Sequence, residues 1–279
     1  MTATIASLHC YPLKSGRGVD LSEAQLTRAG IAQDRRWMVV TPEGRFLTQR
    51  ELPRLALVRP SLTASELSLV APALPPLRLP LELPQQRVPV QIWKDECPAL
   101  DEGDDAARWL QQVLQRDCRL VRFDPQHRRL SSRSWTGDLE AENRFSDGFP
   151  LLVIGRASLD ELNSRLAVPL PMNRFRPNIV LDGIGPYEED RIDELYCDGV
   201  RLRIVKPCTR CRITTTDQDT GLPDGEEPLR TLKSYRFDRE LRGVLFGQNT
   251  VIVQGVNALL RCGQSLQVRW RDRQPVALS

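Results

Sequence analysis

The sequence predicts a mainly β protein of the α+β kind, with two β-barrel-like domains, a few short helices and a site between the domains. Three observations carry that expectation. Short apolar runs with strand-like alternation recur through both halves, each ended by Pro or Gly. Six prolines between 72 and 89 forbid long helices there and favour edge strands and turns. Two short windows, 104–114 and 157–166, carry a helical pattern.

Along the chain, IASLHCYPL near the start, RWMVVTPEG at 36–44 and RLALVRPSL at 54–62 read as strands. ELSLVAP, LRLPLEL and RVPVQIW continue the series to Trp93. Asp104 and Asp105 then open a helix whose stripe is Ala106, Trp109, Leu110, Val113 and Leu114. The polar, weakly periodic stretch 124–144 reads as a linker or mobile loop, which divides the chain into domains 1–125 and 126–279. PLLVIG follows as a buried strand. The helix 157–166 has Ser158 as N-cap and Glu161 three residues on, the pattern of a capping box. NIVLDG, GVRLRIVKP, TVIVQGV and LQVRW complete a second β-rich half.

Composition narrows the function classes. The 279 residues are 41% hydrophobic, enough for a sizeable core, and 27% charged with a formal net charge of +3. That balance, without any basic run, predicts no nucleic-acid partner. Seven cysteines, odd in number and irregularly spaced, do not form a disulfide framework. The N-terminus lacks the charged and apolar regions of a secretory signal. No window approaches the roughly 18 apolar residues of a membrane span. A cytoplasmic protein with no membrane partner is the expectation.

The chemistry concentrates in KPCTRCRITTTDQDTG, 206–221. Cys208 and Cys211 sit among Lys206, Arg210 and Arg212, and positive charge favours the thiolate that attacks or binds metal. The threonine hydroxyls behind them suit a phosphate or a polar heterocycle. Structural zinc wants four ligands, yet there is no second such pair and the histidines are only His9 and His127. A redox dithiol should open a helix, whereas β-branched threonines follow here. Inert packing fits poorly beside three cations. A single thiolate to a soft metal fits better.

Three further segments share a polar, cationic character at strand ends. Lys14, Ser15, Gly16 and Arg17 follow the first strand. Taken alone they read as an ordinary polar turn, since Walker glycine spacing is absent. Arg35 and Arg36 precede Trp37, and alternation sends one of them inward, where it needs an anionic partner. Asp34 offers a surface salt bridge instead. Arg174 and Arg176 precede Asn178, whose amide can read a heterocycle edge, and a solvated loop is the plain alternative. Together these segments look like a pocket between two β domains that holds an anionic cofactor.

YPLKSGRGV, GIAQDRRWMVV, FLTQRELPRLALV, FSDGFPLLVIGRASLDELNSRL, NRFRPNIVLDG, KPCTRCRITTTDQDTG, PLRTLKSYR and LFGQN occur in this order across nearly the whole chain. In these segments the sequence resembles MOSC-domain proteins, the molybdenum cofactor sulfurase C-terminal domain family. It looks most like the subgroup with an N-terminal MOSC β-barrel domain, which includes the mitochondrial amidoxime reducing component and bacterial relatives. The resemblance implies a molybdopterin-type molybdenum cofactor between the domains, with Cys211 as metal ligand and catalytic residue. It implies cofactor-binding roles for Lys14, Ser15, Arg35, Arg176 and Asn178, and for Thr209 and Arg210 before the ligand. It leaves Cys208 without a role. The implied activity is two-electron reduction of N-hydroxylated small molecules. Some relatives carry a ferredoxin domain; with no cysteine after Cys262, no built-in iron–sulfur cluster is expected, and electrons come from a separate ferredoxin or similar donor. The alternative is a sulfur or cofactor carrier with a persulfide on Cys211. The wider family's association with pyridoxal phosphate comes through fused desulfurase domains, and no aminotransferase-like domain is legible here.

Overall fold

The computed structural model describes residues 2–271. Nineteen strands and four short α-helices make it mostly β. Seven strands close into a barrel in the order Leu151–Gly155, Ile179–Asp182, Thr2–Cys10, Ser265–Trp270, Ile192–Cys197, Val200–Arg210, Gly243–Gln254. Leu151 then pairs with Thr250 and shuts the ring. Closure removes the exposed strand edges that invite aggregation. The only parallel pair among these seven joins Leu151–Gly155 to Ile179–Asp182, and helix Arg156–Ser164 makes the crossover.

Thr2–Cys10 is a full stave of this barrel, held between Ile179–Asp182 and Ser265–Trp270. Strict alternation cannot place both Ile5 and Leu8 inside. A register shift between Ile5 and Ser7 supplies the extra residue, and both side chains are fully buried. The barrel core combines Ala3, Ile5 and Leu8 with Leu181, Leu195, Leu202 and Leu266.

Residues 37–123 build around two other clusters. Trp37–Val40, Arg119–Phe123, Asp95–Asp101 and Arg87–Ile92 form a four-stranded antiparallel sheet. Its edges meet through Arg45, which bridges to Gln91, and Phe46, which bridges to Val40. The sheet thus curls round Met38, Val40, Val90, Ile92, Ala99 and Val121. On its outer face Trp37, Val39 and Leu120 pack against helix Asp104–Leu114 and the three-stranded sheet of Arg59–Leu62, Glu66–Val70 and Leu77–Pro80. Every residue of Trp37–Val40 is buried, because core lies on both of its faces.

The helix expected at 104–114 spans Asp104–Leu114, with the expected stripe buried. Three other expectations change. The stretch 54–62 opens as a 3-10 helix, Pro53–Leu57, and only Arg59–Leu62 is strand; Pro53 sits at the helix start, where its missing N–H costs nothing. The second helix begins at Arg156 with Gly155 as N-cap, so Ser158 and Glu161 form no capping box. The Ser158 hydroxyl donates to Glu189, 2.6 Å away, and Glu161 accepts from the hydroxyls of Tyr187 and Tyr235. Tertiary partners outcompete the local motif. Finally, 124–144 is a packed segment. Arg129 is buried within it and donates to Asp95, Asn143 and the carbonyls of Arg144 and Ser146. No helix among the described residues is long and apolar enough to cross a membrane.

Candidate functional site

Lys14 and Ser15 turn out of the chain just after the first barrel stave. Leu13, fully buried, bridges to Trp37 and anchors the turn in the other core. Lys14 is 5% exposed, and its ammonium donates to the Phe145 carbonyl at 2.8 Å and to Asp147 at 2.6 Å. Burial lowers its proton affinity, partly offset by the Asp147 carboxylate. Asp147 itself is 62% exposed, so water screens much of that pair.

Arg35 lies in the turn before Trp37–Val40 and points inward, as alternation requires of one of the two arginines. Its Nη1 donates to both Asp34 oxygens, at 2.8 and 2.6 Å, and to Asn178 Oδ1 at 3.2 Å. The salt bridge with Asp34 exists, but it is buried: Asp34 is 2% exposed. Burial works against the Arg35 charge, and Asp34 with its neighbours Tyr11 and Cys10 together outweigh it, so the net shift is upward. Asp34 also accepts from the Tyr11 backbone N–H and from Asn178 Nδ2. Asn178 returns its Oδ1 to the Leu152 N–H. Its amide is engaged by protein on both ends, which sets it to hold Arg35 in place and leaves no free edge to read a heterocycle.

Arg176 differs from Arg35. Its guanidinium donates to the Gly16 carbonyl at 2.6 Å, while Nη2 is buried with no acceptor. Both guanidiniums stack on Tyr11, each with its central carbon 4.3 Å from the ring centre. Desolvation first, and the Arg35 charge second, depress the Arg176 pKa to about 10. Ser15, Arg35 and Arg176 all adopt left-handed backbone, with φ of 63°, 45° and 57°. Such strain in non-glycine residues is held only where the surroundings impose it, and it collects at ligand sites.

The cysteines arrive on the long stave Val200–Arg210. Its pairing with Gly243–Gln254 slips at 204–206 and again at 207–209, which bends its end. Cys208 accepts from Arg210 Nη1 at 3.1 Å. Arg210 also donates to the Phe175 carbonyl, and its Nε is buried without a partner. Cys211 caps the 3-10 turn Arg212–Thr215 and is half-exposed. Thr214 and Thr215 turn their hydroxyls back to the carbonyls of Cys211 and Arg212, so they stiffen this turn. The short turn is no helix of the redox-dithiol type.

One cleft gathers the eight residues to which the family resemblance gives a role: Lys14, Ser15, Arg35, Arg176, Asn178, Thr209, Arg210 and Cys211; Arg174 lies outside its lining and pairs with Asp217 and Asp224. The cleft contains about 820 Å³ of free space, open mouth included. Cys208, Asp147, Thr48, Thr214 and Asn249 line it too. Asp147 was missed in the sequence, where nothing local marks an acid whose partner lies 133 residues away; Asp34 was read as a surface partner, and the structure buries it.

The donor set has a definite chemistry. Among the described residues no group of three or more His, Cys, Asp or Glu could hold a metal ion. A metal here must bring most of its own ligands and take a thiolate from the protein. The unpartnered N–H groups of Arg176 and Arg210 call for an acceptor, and an anionic ligand supplies one. The residues therefore fit a metal carried by an anionic organic cofactor.

Two family models match the chain: the MOSC N-terminal beta barrel domain over residues 2–117 and the MOSC domain over 140–267. The mouse mitochondrial amidoxime-reducing component 1 is 39% identical over 260 residues, covering 90% of this chain and 76% of that protein. The chain belongs to the MOSC family. Human mitochondrial amidoxime-reducing component 1 is 39% identical over 265 residues, covering 89% and 78%. Rat mitochondrial amidoxime reducing component 2 is 38% identical over 245 residues, covering 84% and 72%. The closed barrel and the cleft of this MOSC protein thus belong to a chain related along most of its length to these components.

Proposed function

We propose that this MOSC protein is a molybdenum-cofactor reductase of N-hydroxylated compounds, with the cofactor in the cleft and Cys211 as its protein ligand. One observation carries the reading: a half-exposed thiol shares a cleft with cations whose buried N–H groups lack acceptors. The names of its relatives point to the same substrate class. Bound there, the cofactor supplies a two-electron redox centre.

The residues divide the work. Arg176 and Arg210 offer unpartnered donors to an anionic group, and Lys14 and Arg35 add positive charge beside Ser15. Asn178 and Asp34 hold Arg35 in place. Cys211, at the start of a stiffened turn, offers one sulfur. The Phe145 carbonyl and Asp147 hold the buried Lys14 ammonium in the wall. Reduction of an N–OH group consumes two electrons and two protons and releases water and the N–H compound. A separate donor protein, a ferredoxin or similar, provides the electrons.

Protein made in a host that synthesises the cofactor should carry about one molybdenum and one pterin per chain, read by metal analysis and pterin fluorescence. Cys211→Ala should lose the metal and the reduction of an amidoxime, with the fold intact by circular dichroism; Cys208→Ala should keep both. A labile sulfur on Cys211 by mass spectrometry, with no molybdenum, would replace this reading by a sulfur carrier.

A further inference from the structure

Gln49 and Gln218 are 1% and 4% exposed and lie 169 residues apart. Their side-chain amides face each other. Gln49 Nε2 donates to Gln218 Oε1 at 3.0 Å, and Gln218 Nε2 donates to Gln49 Oε1 at 3.0 Å. Each nitrogen has a second N–H. That of Gln49 goes to the Ser15 carbonyl at 2.8 Å, and that of Gln218 to the Thr216 carbonyl at 3.1 Å. The result is a continuous hydrogen-bonded bar from Ser15 to Thr216.

Its two ends are places the site depends on. Ser15 is the cleft residue held at φ 63°. Thr216 ends the turn that starts at Cys211, with its N–H on the Ile213 carbonyl. Arg17 adds a strap alongside, donating to the Gln218 carbonyl and to Asp219. Neither glutamine belongs to a hydrophobic cluster. A buried amide pair is costly to desolvate, and what it adds over an apolar pair is direction and distance.

We propose that the Gln49 and Gln218 amides are positioning residues that fix the spacing between the Ser15 turn and the Cys211 turn. Under the function proposed above, on which this rests, those turns take the anionic and the metal parts of one cofactor. The bar sets the span between them before the cofactor arrives.

The test uses Gln49→Leu, Gln218→Leu and the double variant. Each single substitution strands one buried amide, and the apoprotein's Tm should fall by about 3 °C. The double replacement removes both stranded amides but still leaves the Ser15 and Thr216 carbonyls without these donors, so it should recover about half of that loss. Cofactor retention through gel filtration should fall about tenfold in all three, the double included. A second readout needs no cofactor. Peptide mass spectrometry follows alkylation of Cys211 in apoprotein by anionic iodoacetate and by neutral iodoacetamide. The ratio of the two rates reports the positive field at the sulfur; Arg210 and Arg212 move with the cysteine, so its change reports the distance of Lys14, Arg35 and Arg176, and it should fall about threefold in the same variants. Loosening alone would raise both rates and leave the ratio unchanged. If the double variant regains retention and ratio along with Tm, the amides only pack and the proposal is overturned. Should the leucine variants not fold, Gln218→Asn keeps an amide of shorter reach and must still lower the ratio. Wild-type protein without molybdenum or pterin sinks the functional reading instead, and the alkylation ratio still decides the role of the pair.

Discussion

The two sides of the cleft are built on opposite terms. Around Asp34, the cationic side is a closed network: Tyr11, Arg35 and Asn178 all bond to one carboxylate that is 2% exposed. The thiol side is a strand end that bends, a stiffened turn and a half-exposed Cys211. Placed charge needs a rigid frame, since a guanidinium that can relax will find water or another acid. A ligand sulfur needs approach. Within the cationic side itself Arg35 and Arg176 share one ring, yet only Arg35 has a carboxylate.

The largest expected effect comes from breaking the frame. Asp34→Ala leaves the Arg35 guanidinium buried and unpaired and should cost about 4 kcal/mol in denaturant unfolding. A loss near zero would mean that the cationic side is not one network.

Arg176 should respond in the opposite direction. Its pKa is depressed by burial to about 10 in the folded chain, so the unfolded chain holds that proton more tightly. Its contribution to stability is therefore greatest in strong alkali and is lost as pH falls through about 10. At pH 8 the folded state holds an uncompensated charge, and Arg176→Met should stabilise the apoprotein by about 2 kcal/mol. The gain should shrink as pH rises above about 10, measured by unfolding at both values. The same variant should bind cofactor less well. Stability gained where binding is lost is the mark of a residue kept for its ligand.

The smallest expected effect on stability belongs to the thiol side. Cys211→Ala should shift unfolding by less than about 1 kcal/mol, although it is expected to remove the metal. A larger shift would show that the two sides are structurally alike after all.

Much of this was legible in the sequence wherever the signal was local. The cysteines among cations stand out by residue type, and alternation marks one of Arg35 and Arg36 as inward without saying which; Lys14 and Ser15 read alone as an ordinary turn and take a role only from the family resemblance. The stripe of Asp104–Leu114 declared its helix. What stayed hidden depends on partners far along the chain. Asp147 meets Lys14 across 133 residues, and Gln49 meets Gln218 across 169. The capping pattern at Ser158 misled because Glu189 offered a buried partner that a local rule does not contain. The threonines after Cys211 suggested ligand contacts, and their hydroxyls turn to their own carbonyls. Alternation in Thr2–Cys10 marks a strand, but nothing in it says that its two neighbours in the barrel lie beyond residue 178.

That last feature bears on how the chain is made. On a ribosome adding roughly 5–20 residues per second, Thr2–Cys10 emerges well before Ile179–Asp182 and longer still before Ser265–Trp270. For tens of seconds the barrel has one stave, with only the short strand Val19–Leu21 to pair with it. Residues 37–123, whose strands pair among themselves, can fold in that interval. The barrel, and with it the turn that presents Cys211, is complete only when the last stave arrives, so this thiol takes its place near the end of synthesis.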